Sequence, residues 1–372
     1  MEEVQVQRGA VVVYSDPERG FGHSHERATR EGIARRIAAL KNFDYAGEYD
    51  PARRYSGKVY LVPSCTLVGL AAAETLGVRD EHDLFGGVVP WAFAATKAIT
   101  HPLVSPDAAA PAGWSPEFGS RVQDAVLAGF SAFSRADARE GGRRLLGRGP
   151  VRVKAVQATG GRGQVVVADA AALDAVIEAA DPATVSEHGL VLEEHLAAVT
   201  TYSVGQVRVA DLVASYYGTQ RLTPDNSGEE VYGGSELSVA RGGFEALAGL
   251  DLSAEAQLAV AQARVYDEAA MDCFTGMFAS RRNYDVVWGL DGAGRPRCGV
   301  LEQSWRMGGA SGAEIAALEA FRVEPGLRAV RASTVEIYGG AAPPPNATVY
   351  FQGVDERDGP MTKYAFAEPH HV

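Results

Sequence analysis

Glu302, Ser304 and Arg306 stand at alternate positions in a run, residues 299–309, that reads Gly-Val-Leu-Glu-Gln-Ser-Trp-Arg-Met-Gly-Gly. The apolar start of the run predicts a strand. Side chains alternate between the faces of a strand, so these three point the same way. Carboxylate and hydroxyl oxygens are hard ligands suited to Mg²⁺, and a guanidinium neutralises phosphoryl charge. Residues 283–289 predict a second strand, joined to the first through Leu290-Asp291-Gly292-Ala293-Gly294-Arg295-Pro296, where Asp-Gly is a turn signal. A turn centred between Ala293 and Gly294 places Asp285 opposite Glu302. Two facing carboxylates repel unless a divalent cation lies between them. A solvated hairpin face with surface acids is the plainer alternative.

Lysine usage points the same way. The 35 basic residues comprise 30 arginines and only five lysines: Lys41, Lys58, Lys97, Lys154 and Lys363. Where arginine fills nearly every cationic role, a retained lysine suggests a need for a compact charge on a flexible stem, suited to one phosphate oxygen. Lys154 lies in the β-like run 151–156. A glycine-rich segment (158–164) and three valines (165–167) follow. Strand, glycine loop and strand could cradle phosphates with backbone N–H groups; an ordinary flexible hairpin is the alternative. No G-x-x-x-x-G-K-[ST] occurs, and the lysine precedes the glycines, so this is not a Walker loop.

In this order the motifs resemble the ATP-grasp superfamily, over residues 90–320 of the chain. The matching residues are Lys154; the glycine loop of Gly160, Gly161, Arg162 and Gly163; the hinge Val191-Leu192-Glu193-Glu194-His195-Leu196; Asp285; and Glu302, Ser304 and Arg306 against E-x-N-x-R. Lys97 stands where the superfamily has an earlier phosphate-contacting lysine. The resemblance implies an ATP-dependent ligase: a carboxylate attacks the γ-phosphate, giving an acylphosphate, and an amine or similar nucleophile displaces phosphate. It implies Mg²⁺ (or Mn²⁺) held by Asp285, Glu302 and Ser304. Lys97, Lys154 and Arg306 would meet phosphate oxygens, with Lys154 and Arg306 catalytic. The 160–163 loop would close as a lid, and Glu193, Glu194, His195 and Leu196 would surround adenine. Two departures stand out. Ser304 replaces the usual asparagine, and Thr200 or Thr201 lies where an acid commonly holds the ribose. They keep open a nucleotide sensor without turnover; a small-molecule kinase is a third reading.

The elements that must position these residues are expected to form an α/β and α+β multi-lobed chain. A small α/β lobe spans 1–95, a first ATP-grasp lobe 96–190, a second 191–340, and a C-terminal tail 341–372 with a short strand expected at 347–352. The first lobe starts with a strand at 11–14, a turn through Gly20-Phe21-Gly22-His23-Ser24-His25, and a helix to Leu40; a strand follows at 59–63 and a helix at 66–76. His25 occupies the third glycine place of G-x-G-x-x-G, which argues against a dinucleotide fold. His23 and His25 could bind a metal, but capping of the helix is the simpler role. Val122, Val126, Phe130 and Phe133 recur at helical spacing, residues 139–149 suggest a solvated basic connection, Asp169 and Ser253 cap helices, and the polar stretch 219–241 reads as an acceptor-substrate loop.

Composition bounds the rest. With 372 residues, 46% hydrophobic and 22% charged, the chain is of globular type. A net charge of −12 without a basic block argues against nucleic acid. No apolar run reaches membrane-spanning length, and residues 1–5 are unlike a signal peptide. Cys65, Cys273 and Cys298 give no disulfide framework, so a reducing cytoplasm is expected. The expected partners are a small-molecule carboxylate and a nucleophile, with a homodimer left open.

Overall fold

The computed structural model describes residues 8–16, 23–157 and 163–369. The apolar strand Gly9–Tyr14 is the centre of a parallel sheet, flanked by Asp44–Glu48 and Lys58–Pro63. Parallel pairing needs a crossover, and the helix Ser24–Lys41 supplies one. This helix ends at Asn42, whose left-handed φ of 55° suits an asparagine cap. A four-stranded sheet, in the order Gly129–Ala132, Leu190–Glu194, Val151–Ala155, Gln164–Val167, forms a second lobe with the helices Arg135–Leu146 and Ala170–Ala179.

The largest sheet is antiparallel and has eight strands. Its order is Pro296–Ser304, Arg281–Leu290, Ala197–Val209, Leu212–Pro224, Glu230–Arg241, Ala329–Tyr338, Gly359–Pro369 and Thr348–Asp355. One face packs on the helix Ser311–Val323, whose other side meets the N-terminal lobe. Ile33, Ile37 and Tyr60 there share a core with Ile315, Leu318, Phe321 and the sheet residues Tyr216 and Val330. On the opposite face Tyr266, from the helix Ala254–Cys273, packs with Val286, Val300 and Trp305. Among the described residues no helix is long and apolar enough to cross a membrane.

Several expectations need correction. Residues 219–241 are not an irregular loop but the end of the strand Leu212–Pro224 and the whole of its partner Glu230–Arg241, joined by a short turn. Their polarity reflects exposure of the far ends. The segment read as a tail is a hairpin that completes the large sheet, with Met361, Tyr364 and Ala365 buried. Val122 ends a helix, Pro116–Val122, and Phe130 lies on a strand, so their helical spacing is coincidental. Residues 139–149 mostly belong to the helix Arg135–Leu146, whose arginines pair with Glu178 and Asp174 of the neighbouring helix. Of residues 66–76 only Leu70–Thr75 is helical. Asp169 and Ser253 cap helices as read. His25 sits at a helix start: its amide donates to Asp355 Oδ2 at 3.0 Å, and its Nε2 lies 3.0 Å from Asp358 Oδ2.

Candidate active site

The acidic hairpin forms locally because Asp291 organises its turn. Asp291 Oδ1 accepts the amides of Ala293 (2.8 Å) and Arg295 (3.0 Å), and Gly294 takes a φ of 76°. Asp285 pairs directly with Glu302, the register read from the sequence, but by another route. The turn is centred on Ala293, so that Leu290 pairs with Pro296 and Val286 with Val300. A β-bulge at Leu301 then inserts the residue that brings Glu302 opposite Asp285. Beyond the bulge Glu302, Ser304 and Arg306 stay partly exposed, while Gln303 and Trp305 are buried.

The acid pair is under-compensated. Asp285 Oδ1 accepts from Gln220 Nε2 (3.0 Å), Asn283 Nδ2 (3.1 Å) and Ser203 Oγ (3.4 Å). Glu302 Oε2 lies 3.1 Å from Lys97 Nζ. Burial, and then the charge of Glu302, push the Asp285 carboxyl up to about 6. Lys97 thus lies against Glu302 while Asp285 accepts from neutral donors, and the two facing carboxylates offer hard oxygens that fit a divalent cation. The same strand positions the lysine. Gln303 Nε2 donates to the carbonyls of Ala94 (2.9 Å) and Thr96 (2.7 Å), just before the short turn Lys97–Thr100.

A buried network fixes the end of that strand. The Arg281 guanidinium donates through Nη1 to the carbonyls of Ser304 (3.1 Å) and Arg306 (2.6 Å), and to Ser304 Oγ (3.3 Å). Its Nε and Nη2 donate to Glu314 Oε1 at 3.0 and 2.8 Å. The Tyr216 hydroxyl lies 2.6 Å from Glu314 Oε1 and 2.9 Å from Asn283 Oδ1. Arg281, Asn283, Tyr216 and Glu314 escaped the sequence reading. Arg281 and Asn283 had one legible signal, the same strand parity as Asp285. Tyr216 and Glu314 had none, because they meet their partners only through tertiary packing. Arg306 Nη1 donates to the Met307 carbonyl at 2.9 Å, and Trp305 O accepts from Thr66 Oγ1 of the N-terminal lobe at 3.2 Å.

The hinge is built differently. Val151–Ala155 pairs antiparallel with Leu190–Glu194. Lys154 Nζ lies 2.5 Å from Glu193 Oε1, and His101 Nε2 lies 3.2 Å from Glu193 Oε2; all three side chains are buried. Burial opposes ionisation of Glu193, yet the Lys154 ammonium and His101 hold its carboxyl down to about 2. Glu194 turns the other way and accepts from Ala128 N (3.1 Å) and Arg297 Nε (3.2 Å). Glu193 is therefore the inward glutamate. Burial, with the Arg152 guanidinium 3.1 Å from Nδ1, lowers the His195 pKa. Leu196 packs with Leu127, Val287 and Leu301, making an apolar wall that ends beside Glu302. His101, 92 residues from Glu193, carried no sequence signal. Gly163 has a φ of 65° and its carbonyl accepts from Ala155 N at 3.1 Å; Gly160, Gly161 and Arg162 lie outside the described residues. Thr200 and Thr201 lie on the strand Ala197–Val209.

Comparison with known proteins adds the relationship. No curated protein matches the chain. Among solved structures it is similar to phosphoribosylamine–glycine ligase of Thermotoga maritima, with a TM-score of 0.52 at 14% identity, over 98% of this chain and 92% of that one. A D-alanyl-alanine synthetase A of Vibrio cholerae gives a TM-score of 0.46 at 11% identity, over 80% of this chain and 89% of that one. At 14% identity the first of these is a likeness of fold alone. A family model described as "Protein of unknown function (DUF3182)" matches residues 13–365, and the chain belongs to that family.

Proposed function

We propose that the protein is an ATP-dependent ligase of ATP-grasp type, which activates a small-molecule carboxylate for attack by an amine or similar nucleophile. The observation that carries this reading is Asp285 facing Glu302 with Lys97 alongside. A divalent cation such as Mg²⁺ or Mn²⁺ bound by Asp285 and Glu302, next to Ser304, would supply charge stabilisation for phosphoryl transfer. Glu302 would then exchange Lys97 for the metal and free its ammonium for a phosphate oxygen. Lys154 and Arg306 add positive charge, and the Glu193–His101 contacts keep Lys154 oriented. The apolar wall of Leu196 and Leu301, with the hinge backbone at 193–196, suits a flat purine. The chemistry asks the protein for positioning and electrostatics rather than covalent participation.

Phosphate release measured against a panel of carboxylates and amines, with ADP and AMP distinguished, tests this reading. ADP and phosphate formed only when both substrates are present support a ligase. A phosphorylated product without the nucleophile would make it a kinase, and AMP formation would defeat the mechanism. Glu302→Gln should lower Mg²⁺-dependent turnover by at least ~10²-fold with the fold intact. Undiminished turnover in that variant would remove the acid pair from the metal site.

A further inference from the structure

We infer that Asn283 supplies the amide oxygen of the metal site, across the hairpin from the place where Ser304 is too short. This rests on the proposed metal site at Asp285 and Glu302. Asn283 and Ser304 are direct cross-strand partners, one alternation along the same face from the Asp285–Glu302 pair. Asn283 is buried, and its carboxamide spans from Asp285 Oδ1 (3.1 Å from Nδ2) to the Tyr216 hydroxyl (2.9 Å from Oδ1). Ser304 Oγ is engaged by Arg281 Nη1.

Counting protons shows what the carboxamide must do. The Tyr216 hydroxyl carries one proton and faces two acceptors, Asn283 Oδ1 and Glu314 Oε1. Glu314 is fully buried, ion-paired with Arg281, and closer at 2.6 Å. A carboxylate is the stronger acceptor, so the proton goes to Glu314. Tyr216 can then only accept from Asn283, which requires the amide nitrogen to face the phenol. The two ends of a carboxamide have nearly the same shape, so a half-turn meets that need. The turn sets Asn283 Oδ1 against Asp285 Oδ1, two acceptors that repel unless a cation lies between them. Asp285 keeps Gln220 Nε2 and Ser203 Oγ as donors in either state. The unpaired acceptor therefore sits on the Tyr216 side without metal and disappears when metal is bound. Asn283 couples the buried Glu314–Tyr216 network to the metal.

Mn²⁺ titration of the full-length protein, followed by the electron paramagnetic resonance of free Mn²⁺, tests this. Asn283→Ser should weaken Mn²⁺ binding by roughly tenfold or more, with thermal unfolding reporting that the fold persists. The swapped variant, Asn283→Ser with Ser304→Asn, returns the amide to the other strand and should recover most of the affinity. A merely structural Asn283 would not be rescued by that swap. Wild-type affinity in Asn283→Ser, with Glu302→Gln abolishing binding, would overturn the role of Asn283 while leaving the metal site standing. Equal weakness in the single and swapped variants would also overturn it. No saturable Mn²⁺ binding by the wild type would remove the metal site and this inference together.

Discussion

The two lysine–glutamate pairs of the candidate site are opposites. At the hinge, Lys154 and Glu193 are both buried, and His101 takes up the second carboxylate oxygen. That cluster is electrostatically complete without any ligand. At the hairpin, Lys97 must serve Glu302 while Asp285 stands across the ladder with only neutral donors, and its carboxyl is pushed up to about 6. The first pair is part of the fold's framework. The second holds unfavourable charge that a ligand would relieve.

The contrast breaks most visibly at Glu193. Glu193→Gln leaves Lys154 buried without a counter-ion, and removal of one partner of a buried pair costs ~3–5 kcal/mol. Urea unfolding should show that loss; a change below ~1 kcal/mol would mean the hinge is not framework.

Asp285→Asn should do the reverse. In the fold the Asp285 carboxyl titrates near 6, against 3.8 for the ordinary group. The folded state therefore holds its proton more tightly, and stability falls as pH rises through the window from about 4 to 6. Above that window the asparagine variant should be more stable than the wild type by about 1–3 kcal/mol, and the gain should fade toward pH 4. Saturating Mg²⁺ should stabilise only the wild type. Denaturant unfolding across pH 4–8 decides it, and a pH-independent difference would deny that Asp285 is the strained group.

The smallest effect separates neighbours in sequence. Glu194→Gln touches an exposed partner, Arg297, and should cost at most ~1 kcal/mol with nucleotide affinity unchanged. A fall in nucleotide affinity in Glu194→Gln, with none in Glu193→Gln, would reverse the assignment of the inward glutamate.

Much of this site was legible because it is encoded within strands. The 302/304/306 alternation, the Asp-Gly turn and the scarcity of lysine need only local rules, and Lys97, Asp285 and Glu302 converge accordingly. His101 and Glu314 were invisible because they act across 92 and 33 residues, on Glu193 and Arg281. The strands at 219–241 were missed because their ends are solvated and glycine-rich, which mimics a loop. Of the last hairpin only the first strand was legible, as a short strand at 347–352, because Pro343, Pro344 and Pro345 read as a terminus rather than as a connection back to the sheet.

The bulge at Leu301 has a consequence for how this chain can change in length. On the turn side of the bulge the two strands keep one register, and beyond it another. Loss of that one unpaired residue would merge the two registers and leave both Val286–Val300 and Asp285–Glu302 paired, whereas loss of Gln303 beyond it would turn Ser304 and Arg306 to the opposite face. The strand therefore behaves like a reading frame with one spare position: a one-residue deletion at the bulge is absorbed, while one beyond it garbles everything downstream to Arg306.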